Sequence, residues 1–533
     1  MFYMKDMREY VKKCILEKAY FDRERYKDSL LSFQHSQIGF FFDFRNILFE
    51  KVFLEAVASL FWKVLGEGSK IQIGGLESAS LPIITACVMK EENASGFYIR
   101  KSRKKKGESK QIEGIVTDLP IVLVDDVLNT GASFEKQVHI LEKEGKRVYA
   151  IFAIVRFFDD SAYSFFTERG IKIYSLFSLE DLGLKASRGQ QKKTLDRIWY
   201  FGPAKPHFPL VEKRSQPVLF GEFLYATSDS GYIWCIDTGT GKVLWSKLLM
   251  WRVRKKKATF TDLLLHGDRL YVGSIHGFLY VLDLKGKILY KESFGERITS
   301  APVIKGDILC CAVKVGGPLY RSAIIGYSLS RREIVWERQV AGAVSGNFTQ
   351  VSDSLIFQGS DGVVHCLQVH SGKTMWSQKV DGVEDAGSVY DEERGVLFST
   401  QKGLLVSLSV LSGKMRFAIP VAEWLHATPC VVGSRAYVTS LDKYIYCIDL
   451  EKKTIVWERE TEGRIFSSPV VQKNRVYVGS NDGMLYICNS ETGAMHASQV
   501  VSERITNPVF FKDNLVFVTT FANEIYCFKD ILS

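Results

Sequence analysis

The sequence has no Cys-x-x-Cys pair among its ten cysteines, and its nine histidines show neither His-x-x-His nor His-Glu-x-x-His spacing. Cysteine-based zinc sites, zincin-type catalysis and dithiol redox chemistry depend on those spacings, so none of them is legible. No Ser/His/Asp arrangement points to a nucleophilic triad. No stretch approaches the roughly 20 apolar residues that cross a bilayer as a helix. The most apolar segment, Ile38 to Leu65, is broken by Asp43, Arg45, Glu50 and Lys51. The first residues, MFYMKDMREYVKK, have neither the apolar core nor the small-residue cleavage site of an export signal. The expectation is a cytoplasmic protein with reduced, mostly buried thiols and no membrane span.

What is there is ordinary for a chain that buries a large core: 533 residues, 46% hydrophobic and 24% charged. Seventy Lys and Arg against 60 Asp and Glu leave a net charge of +10, which favours an anionic partner. The chain has two textures. Up to about residue 190, helical patterns (Val11–Tyr26, Glu50–Leu65, Ala132–Glu144) alternate with short apolar runs (Ile71–Ile73, Phe97–Ile99, Ile121–Val124, Tyr149–Val155, Ile171–Leu176). That alternation predicts an α/β domain with a parallel sheet.

From about Ser215 helical periodicity disappears and a strand–turn–strand unit recurs, as in YVGSIHGFLYVLD (Tyr271–Asp283), YVTSLDKYIYCID (Tyr437–Asp449) and YVGSNDGMLYICN (Tyr477–Asn489). Aromatics follow at Trp245, Tyr290, Trp336, Trp376, Phe417 and Trp457, about 40 residues apart, and the next slot holds Ala497. A period near 40 with several short strands predicts a β-propeller. Gly241, Gly372, Gly413 and Gly493 are expected at positive φ in its turns. Eight copies of the unit begin near Leu224, Leu270, Ile308, Leu355, Val396, Ala436, Val476 and Leu515, but only seven are followed by a further strand. The missing strand is expected from Asp196–Phe201, which gives eight blades; seven blades with a loose unit is the alternative. The expected division is 1–190, a linker at 191–214, and 215–533.

The most informative local pattern is Ile121-Val-Leu-Val-Asp125-Asp126-Val-Leu-Asn-Thr130-Gly131-Ala132-Ser133. A strand delivers two carboxylates, and a small, hydroxyl-rich turn then opens a helix. Backbone N–H groups at a helix start hold an anion, and carboxylates accept hydrogen bonds from sugar hydroxyls, so the pattern suits a sugar phosphate. The carboxyl end of a parallel strand is where open α/β sheets bind ligands.

That pattern resembles the PRPP (phosphoribosyl pyrophosphate) motif of type I phosphoribosyltransferases, a Rossmann-like fold. Gly39-Phe-Phe-Phe-Asp43-Phe-Arg45 looks like the hood strand of orotate phosphoribosyltransferases. Gly74-Gly75-Leu-Glu77-Ser-Ala-Ser80 is similar to their pyrophosphate loop, the run from Tyr98 to Gly114 to their flexible catalytic loop, and Gly170–Leu182 to their closing segment. The resemblance implies Asp125 and Asp126 on the ribose hydroxyls and Val127, Leu128, Asn129, Thr130, Gly131, Ala132 and Ser133 around the 5′-phosphate. It places Arg100, Lys101, Lys104 and Lys106 at the pyrophosphate, with Lys104 as the catalytic lysine. Arg156, Thr130 and Phe41 would meet the base. It further implies Mg²⁺ carried by PRPP, a small nitrogenous base as acceptor (orotate or a related pyrimidine), and a homodimer through this domain. Four departures stand out: Val155 where the family has an aspartate before the arginine, Ser102 where an acid follows the first loop lysine, Lys106 where a histidine or tyrosine precedes the loop glycine, and Lys105 in an acidic slot.

The second half resembles PQQ-like propeller repeats of quinoprotein dehydrogenases and outer-membrane assembly lipoproteins. Quinoprotein enzymes carry a vicinal disulfide. Here Cys310 and Cys311 lie in an apolar strand, where neighbours point to opposite faces, so no bound PQQ is expected. The propeller is expected to recruit a protein partner or act as a scaffold. Arg252–Lys257 is a basic run in a propeller connection, expected to be a solvated loop. A non-catalytic PRPP or nucleotide sensor, and an interaction protein with a vestigial transferase domain, are the competing readings.

Overall fold

The structure is a computed structural model that describes residues 4–22, 40–100, 111–129, 131–160, 163–184, 195–202, 215–228, 231–249, 260–315, 321–383, 387–501 and 503–530. The chain divides into two compact units, Met1–Lys193 with Val500–Ser502 and Thr194–Gln499 with Glu503–Ser533.

The first unit starts with helix α1 (Met4–Cys14), one π-helical turn (Ile15–Ala19) and strand β1 (Tyr20–Asp22). The helical reading of Val11–Tyr26 therefore fails after Ala19. Tyr20 and Phe21 are in extended backbone, paired antiparallel with Phe42 and Phe41 of β2 (Phe40–Phe42), because that ladder provides the hydrogen bonds the helix would have supplied. Helix α2 (Lys51–Leu65), β3 (Gln72–Gly75), α3 (Ser80–Lys90) and β4 (Ser95–Gly96) follow. A small ladder comes next, β5 (Tyr98–Ile99) and β6 (Ile112–Glu113). Then come β7 (Ile121–Leu128), α4 (Ala132–Lys143), β8 (Val148–Arg156), the short α5 (Ser164–Thr167) and β9 (Lys172–Ser178).

The main sheet is parallel, in the order β4-β3-β7-β8-β9. Its strands alternate between two buried layers. Val122 and Val124 face the layer holding Phe53, Val57, Phe61 and Ile83 of α2 and α3, whereas Ile121 and Leu123 face Phe134, Val138 and Leu141 of α4. Strand order runs outward in both directions from the β3/β7 pair. That pair is the switch point, where the loops after two adjacent strands diverge and leave a crevice.

The second unit is an eight-bladed propeller. Seven blades come from consecutive segments: Val218–Leu248, Leu264–Ser293, Arg297–Val340, Thr349–Lys379, Ser388–Pro420, Cys430–Glu460 and Val470–Val500. The eighth combines Phe510–Lys512, Leu515–Thr519 and Ile525–Lys529 with β10 (Asp196–Phe201), which pairs antiparallel to Ile525–Lys529. The strand expected to close the ring is therefore the outermost strand of blade eight, and the seven-blade alternative falls.

Stacking depends on an aromatic in the outer strand of every blade but the seventh. A β-bulge beside it turns the ring toward the next blade. The indole N–H groups of Trp245, Trp336, Trp376 and Trp457 donate to carbonyls of Leu284, Val369, Val410 and Ser490 at 2.7–3.2 Å. Each indole lies on a turn glycine of that blade: a Cβ on Gly286, Gly372, Gly413 or Gly493 would sit 2.4–2.7 Å from the ring. These glycines are at φ 84°, 64°, 68° and 67°. Trp199 of β10 makes the same contact on Gly241 and donates to Thr238 O at 2.8 Å.

Two blades use a different pairing. Where the aromatic is Tyr290 or Phe417, the next turn carries Arg332 or Lys453 at φ 57° or 56°, with its cation 4.3 Å or 5.7 Å from the ring centre. Ala497 is explained by the same logic. Its neighbour, blade eight, joins its two outer strands from distant parts of the chain and has no turn there to receive a ring. We expect Tyr290→Trp to destabilise the propeller by about 1–3 kcal/mol through overpacking against Arg332. Tyr290→Trp combined with Arg332→Gly should recover at least half of the loss of melting temperature.

Cys310 and Cys311 are both buried, on opposite faces of strand Ile308–Val315, in two different core layers. All ten cysteines are unpaired thiols.

Candidate functional site

At the β3/β7 switch point two glycines let the chain pass close. A Cβ on Gly74 would meet the Phe97 ring at 2.3 Å, and one on Gly75 would meet Ser80 Cβ at 2.4 Å and the Val124 carbonyl at 2.7 Å. The Ser80 hydroxyl donates to Leu76 O, and Ser80 opens α3. Across the crevice β7 carries Asp125 and Asp126 near its C-terminal end. Gly131 is at φ 84° and starts α4. A side chain there would press on Phe166, 3.0 Å from the added Cβ. The first N–H groups of α4 have no intrahelical acceptor and no side-chain cap, so this end of the helix suits an anion.

The two carboxylates are half-buried. The Ser133 hydroxyl donates to Asp125 Oδ2 at 3.0 Å, and the Asp126 N–H to Asp125 Oδ1 at 3.1 Å. Burial first, and the neighbouring Asp126 second, push the Asp125 carboxyl well above the usual carboxylate range. Burial likewise raises Asp126, with a smaller contribution from Asp43. Two hydroxyls donating to this pair would stabilise its ionised form.

The other residues named from sequence are placed as follows. Val127 and Leu128 close β7, and Leu128 is Arg156's partner across the ladder. Arg156 ends β8 and donates from Nη1 to Asp160 Oδ1 at 2.6 Å. Arg100 sits just after β5, where its N–H donates to Gln111 O and its Nε to Glu113 Oε1 at 2.8 Å. Phe41 lies in β2 opposite Phe21. Lys101, Lys104, Lys106, Thr130 and the Arg252–Lys257 run lie outside the described residues, as does the side chain of Ala132.

The hood pattern reaches the same neighbourhood. Phe42 packs edge-on against Phe157, with ring centres 5.9 Å apart. Asp43 caps the 3-10 turn Phe44–Asn46 and takes a two-pronged contact from Arg45, at 2.8 and 2.7 Å, which holds its carboxyl below the usual range. Asp43 and Arg45 both feel the charge of Asp126.

Two residues were missed. Tyr163 donates from its hydroxyl to Leu128 O at 3.0 Å and accepts the Phe158 N–H at 3.2 Å, tying the β7 turn to the loop after β8. Asp160 partners Arg156. Both lie in an aperiodic loop, and no local signal marked them.

The family model described as outer membrane protein assembly factor BamB matches residues 249–382 and 360–533, more than half of the chain. The chain belongs to that family. The BamB of Moranella endobia is 20% identical over 324 residues, covering 57% of this chain and 82% of that protein. The crystal structure of BamB from Moraxella catarrhalis overlays with a TM-score of 0.51 at 16% identity, covering 63% of this chain and all of that one, which speaks for the fold alone. The BamB-type propeller is joined to an orotate phosphoribosyltransferase-like domain. The orotate phosphoribosyltransferase of Methanosphaera stadtmanae is 29% identical over 143 residues, 27% of this chain and 79% of that enzyme. Among the described residues no helix is long and apolar enough to cross a membrane.

Proposed function

We propose that the first unit is a phosphoribosyltransferase that joins a nitrogenous base, orotate or a related pyrimidine, to PRPP with release of pyrophosphate. The observation that carries this reading is the Asp125–Asp126 pair at the switch point, followed at once by the positive-φ Gly131 and the open start of α4. The carboxylates would accept the ribose hydroxyls, and the turn from Val127 to Ser133 would seat the 5′-phosphate.

In the transfer, a ring nitrogen's lone pair forms the bond to C1 of the ribose. The C1–O bond breaks with its electrons onto pyrophosphate, and the nitrogen's proton leaves to solvent. Charge grows on the leaving group. Lys104, with Arg100, Lys101 and Lys106, would stabilise it electrostatically. Among the described residues no three His, Cys, Asp or Glu side chains cluster to hold a metal. Mg²⁺ would arrive on PRPP and neutralise its pyrophosphate.

The propeller would serve as a scaffold or partner-binding module, the transferase domain as a homodimer contact. Ten unpaired thiols support a reducing, cytoplasmic setting. The Arg156–Asp160 pair and Val155 keep a second reading, a PRPP or nucleotide sensor without turnover. Incubating the purified protein with PRPP, Mg²⁺ and a panel of bases decides between them. Pyrophosphate release that depends on one base is expected. PRPP binding without release would favour the sensor, and no PRPP binding would sink both.

A further inference from the structure

The described wall on the acceptor side carries two guanidinium groups, and each already holds a carboxylate. Arg156 Nη1 is 2.6 Å from Asp160, and Arg45 grips both oxygens of Asp43. These groups belong to one surface. Arg156 ends β8 opposite Leu128, the Phe157 N–H that follows donates to Leu128 O, Phe42 packs on Phe157, and Asp43 and Arg45 both sense Asp126. Beside them the partly buried Phe42 packs on Phe157.

A ring bearing its own carboxylate finds both guanidinium groups already engaged by carboxylates. To reach Arg156 it would have to approach Asp160 and displace it. An uncharged ring meets no such repulsion and gains the Phe42 ring as a packing surface. The ion pair itself contributes little to stability, because the Asp160 side chain is 62% exposed. Its effect falls on whatever approaches Arg156.

We propose that the acceptor is an uncharged nitrogenous base rather than a ring carboxylate, and that Asp160 is a specificity-determining residue that enforces this. The proposal rests on the phosphoribosyl-transfer reading above. Recognition can be read without turnover through the product side. Calorimetry of the full chain with uridine, adenosine and orotidine 5′-monophosphates, alongside PRPP·Mg²⁺, separates the possibilities. The expected result is that uridine or adenosine monophosphate binds about tenfold more tightly than orotidine monophosphate. Asp160→Asn is expected to move that ratio about tenfold toward orotidine monophosphate and leave PRPP affinity unchanged.

Orotidine monophosphate binding as tightly as the uncharged-ring nucleotides would overturn the inference. So would an unchanged ratio in the variant, or PRPP binding without binding of any of the three nucleotides. Absence of PRPP binding would instead fail the transfer reading beneath it. If Asp160→Asn does not fold, the wild-type ratio still decides.

Discussion

Asp126→Asn is expected to weaken PRPP·Mg²⁺ binding by about 1.5–3 kcal/mol, the contribution of a hydrogen bond to a charged acceptor, or roughly ten- to a hundredfold in Kd. The substitution keeps the shape of the side chain and removes the charge that a ribose hydroxyl would donate to. The same variant is expected to be more heat-stable than the parent in the absence of ligand at pH 8. Burial raises both carboxyls in the folded chain, with Asp126 adding to the shift of Asp125 and Asp43 to that of Asp126. From about pH 4, the ordinary value in an unfolded chain, up to those raised values the folded state holds more protons than the unfolded one. Stability contributed by the pair is therefore present at low pH and is lost as pH rises through that window. Melting temperatures of the two proteins between pH 5 and 8, with and without PRPP, check both halves. Equal PRPP affinity in the variant would remove Asp126 from the ribose. A parallel pH dependence in the two proteins would mean the pair is not strained by its setting.

Trp199→Ala is expected to cost the propeller about 3–5 kcal/mol, as for other large aromatic truncations. Trp199 is 8% exposed, lies on Gly241 of blade one and donates to Thr238 O. It is the docking aromatic of the blade assembled from two distant segments, so its loss weakens the seam that closes the ring. Denaturant unfolding of the full chain, followed by tryptophan emission and by circular dichroism, gives the size. Trp245→Ala, inside a continuous blade, gives the comparison. A cost below 1 kcal/mol would mean that the β10 ladder closes the ring without help from the indole.

The parts of this molecule legible in the sequence are those whose physics is local. The run Ile121–Ser133 contains a strand, its acids, a turn and a helix start within thirteen residues, and each step has its own residue preference. The propeller is legible because one local unit recurs eight times. The helix pattern from Val11 misled at Tyr20 because the partner that takes over its hydrogen bonds, Phe42, lies outside any local window. Asp160 and Tyr163 were invisible for the same reason: they act on Arg156 and on the Leu128 carbonyl through space, from a loop without period. Trp199 is legible as part of a closing strand but not as a docking aromatic, because the other strands of its blade lie at the far end of the sequence. Ala497 fills the slot beside the blade whose two outer strands have no connecting turn.

The pairing of β10 with Ile525–Lys529 also sets an order of events. Tyr200 and Glu524, in hydrogen-bond contact across the seam, are 324 residues apart in the chain. As the chain is synthesised, β10 emerges before any other propeller strand and waits, with Ile198 and Tyr200 on a bare edge, until the last blade exists. Each of the other seven blades can zip from neighbouring hairpins, but this contact forms only by closing a very long loop, so it comes late. Interactions absent until after the folding barrier mainly slow unfolding. The seam should accordingly govern how long the ring lasts more than how fast it forms. A ring caught before closure presents two unpaired strand edges to every neighbouring copy.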